Sequence, residues 1–254
     1  MIGRKYLGLL AVPALLVQCQ PTACAPPPTP VDTTPATIAP AVTTTSVAPP
    51  TTSAPTTTVP APAYSFLFTD AAGRPARWDP CAAPITYEID GRFGTSEELA
   101  AISAAIDAVS RASGHVFELV GVSATGVPAR GTDAMVGYTE SFTAAQIGEG
   151  RIEVEPGPQI VAGQATVKAG LAPDLRRLTL IHELAHVVGL GHVPDPRQVM
   201  FASARSPYLS EYAPGDLVGL GLVGAAQPCI VTGALRASDT ADSATSPRTI
   251  TWVD

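Results

Sequence analysis

The sequence predicts an α/β (α+β) domain: a mixed, twisted sheet of about five strands, a crossover helix, and a second helix behind the sheet. Three observations predict it. Residues 85–89, Ile-Thr-Tyr-Glu-Ile, alternate apolar and polar as a half-buried strand does. Thr95 with Glu98 three positions on is a capping box, so a helix follows that strand at once. A run of further strand-like segments then leads to residues 182–192, whose histidine spacing belongs on a helix.

Composition divides the 254 residues into segments 1–25, 26–63, 64–235 and 236–254. Segment 1–25 reads as an export signal. Arg4 and Lys5 make a positive start, and residues 7–17 an apolar run too short to span a bilayer. Ala23-Cys24-Ala25 has the small-x-small form of a cleavage site, although Pro26 follows it directly. Cys19 and Cys24 raise a lipid anchor, but Gln18 is bulky before Cys19, and Pro21 stands where Leu is wanted three before Cys24. The expectation is a secreted chain without a membrane span; a cell-surface lipoprotein is the alternative.

Segment 26–63 is mostly Pro, Thr, Ala, Val and Ser. It buries too little apolar surface to offset chain entropy, and its prolines favour extended PPII. A disordered spacer is expected, compatible with O-glycosylation and equally with an unselected linker.

The folded part, 64–235, starts with the strand at 85–89. The helix opened by Thr95 turns Leu99, Ile102, Ile106 and Val109 to one face, and Gly114 closes it. Strands follow at 116–120 and 134–138. Segments 151–155 and 160–168 are weaker candidates, separated by Pro156-Gly157-Pro158. Asp174 is placed to cap the second helix, with Leu178, Ile181, Ala185 and Val188 as a core stripe opposite the histidines. Pro194 and Pro196 then force a tight loop that ends in Val199-Met200-Phe201. Asp216, after Pro214-Gly215, is placed to cap a last helix over 217–224, and Ser210, Glu211 and Asp216 are candidates to support the loop. Segment 236–254 is polar and expected to fray, although Ile250, Trp252 and Val253 offer apolar surface for docking.

Residues 182–192 read His-Glu-Leu-Ala-His-Val-Val-Gly-Leu-Gly-His and hold three of the four histidines of the chain. Positions four apart share a helix face, so His182 and His186 can present ring nitrogens to one ion at about 2.0–2.1 Å. Gly189 lets the chain leave the helix through a left-handed conformation, which brings His192 back as a third ligand. Three protein ligands leave one position for water, the arrangement of a catalytic rather than a structural zinc. Glu183, one step round the helix, is placed to handle that water as general base instead of binding the metal. A bare H-E-x-x-H arises by accident in roughly one chain in a few hundred, and the added Gly and His lower that by about three orders of magnitude. Neutral imidazoles are needed for binding, so activity is expected to fall in acid. The net charge is −7 and basic residues do not cluster, which argues against nucleic acid as a partner.

With these residues the chain resembles a metzincin, and within that clan a bacterial matrixin-like metallopeptidase. Residues 182–192 carry the specific match. Val199-Met200-Phe201 resembles the Met-turn of the clan, which makes Met200 the floor of the metal site. Leu209-Ser210 with residues 215–220 resembles the matrixin segment entering the last helix, and Trp78 with residues 85–89 the first strand. The likeness covers about 78–224 and is specific in its last third. It implies a zincin-type catalytic domain with a smaller C-terminal subdomain, and one catalytic Zn2+ on His182, His186 and His192. It further implies a monomeric endopeptidase acting on extracellular protein or peptide. Val193 departs from the Ser or Thr usual in animal matrixins, and Ala202 stands where astacins and serralysins carry a tyrosine ligand. His115 is the remaining histidine, so a histidine-rich second zinc site is not expected. A Ca2+ site of carboxylates and carbonyls has no spacing signature that can be read here.

Outside the signal, Cys81 and Cys229 form an isolated pair, which in an exported chain reads as a disulfide. The competing reading makes Cys81 a thiolate latch on the metal, as in matrixin propeptides, but the Arg and Gly of that motif are missing. Two other functions stay open: a non-catalytic surface module that keeps zinc with a fourth protein ligand, and a zinc amidase acting on cell-wall peptide.

Overall fold

In chain order the elements are β1 (Ser65–Phe66), β2 (Ile85–Asp90), α1 (Ser96–Ser113), β3 (Phe117–Ser123), β4 (Ala134–Thr139), β5 (Gly148–Glu155) and β6 (Gln159–Lys168), then α2 (Pro173–Val187), β7 (Leu190–Gly191), α3 (Pro214–Val223) and β8 (Arg248–Val253). The structure is a computed structural model that describes residues 63–82, 84–230 and 247–253. The expected export signal, and the spacer up to its last residue, lie outside the described residues.

Six strands form one mixed sheet in the order β3-β2-β4-β6-β5-β8. β2 pairs in parallel with β3 on one side and β4 on the other, and β6 extends the parallel part. The parallel β2–β3 pair requires a crossover, which α1 supplies. β5 reverses direction against β6, and β8 pairs antiparallel with β5. The mixed α+β architecture is therefore as the sequence predicts, with all of its expected strands formed. Two features correct the expectation. β1 and β7 make a separate two-stranded pair. The end of the supposedly frayed tail is a sixth strand of the main sheet.

α1 begins as its capping box dictates. The Glu98 amide donates to Thr95 Oγ1 at 3.3 Å, and the Thr95 amide donates to Glu98 Oε2 at 2.8 Å. It ends on Gly114, whose φ of 75° is the left-handed conformation that glycine adopts without strain. Ile102, Ile106 and Val109 are buried as their spacing predicts. Glu98 reaches beyond its own helix: Oε1 accepts the Gly170 amide at 2.8 Å, and its carbonyl accepts Tyr138 Oη at 2.8 Å. One capping residue thus ties α1 to β4 and to the turn that enters α2.

α2 differs from the expected amphipathic helix. Leu178, Ile181, Ala185 and Val188 are buried, but so are Leu180, Leu184 and Val187 between them. A helix buried on all sides is a core helix, and α2, which buries polar residues as well as apolar ones, packs on β5, β6 and α1. Its N-cap is Ala172, with Pro173 in the first turn. Asp174 accordingly lies inside the first turn, where it complements the helix dipole without capping the end. Trp78 Nε1 donates to the Val187 carbonyl at 2.9 Å, which fixes the segment ahead of β2 to the end of α2.

Cys81 and Cys229 form a disulfide across a sequence separation of 148, joining the approach to β2 to the chain after α3. The Ile230 amide donates to Asp79 Oδ1 at 3.1 Å, and Arg77 donates to the Pro228 carbonyl at 2.6 Å, closing the same seam. Both sulfurs are committed to the bond, so Cys81 has no thiolate to offer a metal.

Candidate metal centre

Burial of α2 puts His182, Glu183 and His186 inside the molecule. The chain leaves the helix at Gly189, whose φ is +109° and whose absent Cβ would press on the Ala76 carbonyl. β7 then carries the chain back along β1 and delivers His192 to the two helical histidines.

The three rings converge through their Nε2 atoms. His192 Nε2 lies 3.1 Å from His182 Nε2 and 3.2 Å from His186 Nε2. Nitrogens held about 2.0–2.1 Å from one ion in tetrahedral directions stand about 3.3–3.4 Å apart, so the spacing suits a shared small cation. The opposite nitrogens are engaged. His182 Nδ1 donates to the Val199 carbonyl at 2.6 Å, and His186 Nδ1 donates to the Leu190 carbonyl at 2.7 Å. A proton on Nδ1 leaves the Nε2 lone pair for a metal and fixes each ring's orientation. The three histidines are a group that could hold a zinc ion, and the donor set of neutral imidazoles fits that metal.

Behind the rings stands a pinned loop. Met200 is buried, its carbonyl accepts the Val193 amide at 2.9 Å, and Val193 and Phe201 form a parallel bridge. The carboxylate of Asp216 accepts the amides of Val199 at 2.8 Å, Met200 at 3.2 Å and Ala213 at 2.9 Å. Burial pushes the Asp216 carboxyl up from the ordinary range, against the pull of these three amides and of His182. Asp216 is the third residue of α3 and supports the loop, a correction to the N-cap role expected for it. Ser210 and Glu211 serve elsewhere. The Ser210 carbonyl and the Glu211 carboxylate both accept from Arg177 at 3.0 Å, joining α2 to the chain ahead of α3.

Among the described residues His115 does not join the histidine group. His115 Nε2 is 3.2 Å from the Val223 carbonyl, and burial lowers its pKa. Tyr212 Oη donates to the Ile181 carbonyl at 2.7 Å, and burial raises its pKa well above the usual value.

The sequence reading passed over two glycines, and it offered Trp252 for docking without a place for it. A Cβ on Gly148 would overlap Glu183 Oε1, and one on Gly150 would lie 2.7 Å from His186 Cβ and 3.1 Å from Glu183 Oε2. β5 therefore passes against Glu183 and His186 because these two positions have no side chain. Gly-x-Gly ahead of a strand was the available signal, since glycine inside a strand marks close approach. Trp252, on β8, sets its ring 5.9 Å from that of His192 and 6.5 Å from that of His186. A cavity opens beside His182 and Glu183, with apolar walls from Ile147, Leu178, Val199 and Leu209. At its rim the Arg205 guanidinium lies 4.9 Å over the Phe201 ring.

No protein-family model matches the chain, and no curated protein matches it. Among solved structures the chain is similar to high choriolytic enzyme 1, a hatching enzyme zinc-protease from Oryzias latipes (Medaka fish). That similarity has 12% identity and a TM-score of 0.36, over 58% of this chain and 93% of that chain.

Proposed function

We propose that this chain is a secreted zinc-dependent endopeptidase of the matrixin-like metzincin type. The observation that carries the proposal is the convergence of three imidazoles, two of them anchored through Nδ1, beside the buried carboxylate of Glu183. His182, His186 and His192 would hold the metal. When bound in such a site, zinc acts as a Lewis acid and makes water a usable nucleophile near neutral pH.

The work left to the protein falls to Glu183. Its carboxylate accepts a proton from the attacking water as the oxygen adds to the scissile carbonyl carbon, and returns it to the amine nitrogen as the C–N bond breaks. Packing on β5 keeps that side chain within the interior, which limits the positions its oxygens can sample. The apolar cavity beside His182 and Glu183 would receive one substrate side chain, so the residue next to the cleaved bond should be aliphatic or aromatic. The Met200 loop and Asp216 support the finer family reading, because they restrain two of the histidines through Val199 and Val193. The disulfide supports export, since such bonds persist in oxidising surroundings. No described helix is long and apolar enough to cross a membrane.

The test is hydrolysis of casein, a peptide library and cell-wall fragments by the purified protein, before and after chelation and zinc return. Cleavage of internal peptide bonds that is lost with chelator and restored by zinc is the expected result. Cleavage confined to cell-wall amides would transfer the enzyme to another substrate class, and inactivity of zinc-loaded protein on all three would remove the proposal.

A further inference from the structure

β5 is the strand of the sheet that runs past the metal site, and its outer edge carries β8. The register is antiparallel, from Val154 opposite Arg248 to Glu149 opposite Val253. Opposed residues in such a ladder project to the same face. Trp252 is opposite Gly150, and Ile250 is opposite Ile152, so both lie on the face that packs on α2. They are the two covered residues of β8, while Arg248, Thr249, Thr251 and Val253 are exposed.

The two tryptophans of the chain are held in different ways. Trp78 is buried and its Nε1 is hydrogen-bonded to Val187. Trp252 is half-buried, and its buried Nε1 has no hydrogen-bond partner among the described residues. An indole N–H removed from water without a partner weakens the docking of its strand. β8 is thus seated by one ladder, two apolar side chains and a 3.3 Å hydrogen bond from Arg151 Nε to Thr251 Oγ1, with a polar group left unsatisfied beside His186 and His192.

An extended peptide reaching the three histidines and Glu183 would gain backbone hydrogen bonds by adding to the β5 edge, the common way an open strand accepts a peptide. β8 already occupies that edge and runs toward Gly148 and Glu183. None of its residues lines the cavity walled by Leu178 and Leu209. We infer that β8 is an intramolecular pseudosubstrate: it holds the peptide-binding edge of β5, with Trp252 against the metal histidines, and extended peptides must displace it. The inference rests on the peptidase reading for its consequence, but the occupancy of the edge can be measured separately. Because β8 is tethered, its effective concentration at the edge is high, and a free peptide competes at a disadvantage.

The experiment compares the full chain with a truncation ending at Pro247 and with full-length Trp252→Ala. Circular dichroism reports folding. Fluorescence anisotropy of a labelled hexapeptide, Arg-Thr-Ile-Thr-Trp-Val, on metal-free protein reports occupancy of the edge. Hydrolysis of a quenched peptide at equal zinc content gives KM and kcat separately. The truncated protein should bind the labelled peptide at least about tenfold more tightly than the full chain. In both variants KM should fall by about tenfold or more with little change in kcat, and the free hexapeptide should compete with substrate. Equal hexapeptide binding by the full and truncated chains would overturn the inference, as would an unchanged KM in a folded Trp252→Ala protein. Selective binding by the truncated chain without hydrolysis by any zinc-loaded form would keep β8 as the edge occupant and remove the peptidase reading alone.

Discussion

His182 and Val199 are joined by a 2.6 Å hydrogen bond from the ring Nδ1 to the backbone carbonyl. The amide of the same Val199 donates to Asp216 at 2.8 Å, so a carboxylate on α3 bears on a candidate ligand ring through one residue. Partners that orient a ligand ring typically matter by about 10–100-fold in metal affinity. Asp216→Ala should therefore lower zinc affinity by about that factor, and stability by about 2–4 kcal/mol, because three amides lose a buried acceptor. Competition with a chromophoric chelator and urea unfolding measure the two effects. An unchanged zinc affinity would detach Asp216 from the site.

Met200 fills space in the pinned loop and is almost fully buried. Met200→Leu nearly conserves volume and should cost less than about 1.5 kcal/mol, whereas Met200→Ala should cost about 2–5 kcal/mol. Denaturant midpoints of the two variants decide this. Equal losses would place chemistry, not packing, at the sulfur.

Gly150 faces His186 and Glu183 at distances that leave no room for a methyl group. Gly150→Ala should fold, because β5 has neighbours on both sides to keep its place. It should nevertheless lose about tenfold or more in peptide hydrolysis, since displacements near 1 Å at a reacting site have effects of that order. A fully active Gly150→Ala protein would show that β5 yields without disturbing the centre.

Glu98 supplies the pH dependence. The Thr95 amide, followed by that of Gly170, holds its carboxyl below the usual range, against a smaller opposing effect of burial. A depressed folded-state pKa adds stability above the unfolded value near 4.5 and loses it as pH falls through the folded one. Glu98→Gln should be less stable than the native protein by about 1 kcal/mol at pH 7, with the gap closing in acid. Urea unfolding of the metal-free proteins at neutral pH and in the acid range tests the sign. A gap that widens in acid contradicts it.

The Cys81–Cys229 bond closes a loop of 148 residues. The chain-entropy model gives about 4–5 kcal/mol for such a loop, or roughly 10–20 °C in Tm for a domain of this size. The double Cys→Ser protein should show that loss while binding zinc as the native protein does. A change in zinc affinity without a change in Tm would return Cys81 to consideration as a ligand.

Much of this was legible where the signal is local. The capping box of Thr95 and Glu98, the closing Gly114 and the histidine spacing on α2 each act within a few residues, and each is as expected. Long-range placement was not legible. Asp216 reads both as a helix cap and, with Ser210 and Glu211, as a candidate to support the loop, and only the folded chain singles it out by bringing Val199 and Met200 to it. Gly148 and Gly150 disfavour strand formation by intrinsic propensity, so the predicted strand began at Arg151, past the part that meets Glu183. The alternation in β8 is clear, but nothing local names β5 as its partner. β1 and β7, at two residues each, are too short to show a period.

The proposed activity needs three rings that share one ion next to a carboxylate that moves a proton. Zinc stoichiometry and peptide hydrolysis, measured side by side for the native protein and Glu183→Gln, test it most directly. One zinc per chain in both, with hydrolysis reduced by about a thousandfold or more in the variant, is the predicted result. Undiminished hydrolysis by zinc-loaded Glu183→Gln, or a native chain that binds no zinc, would contradict it.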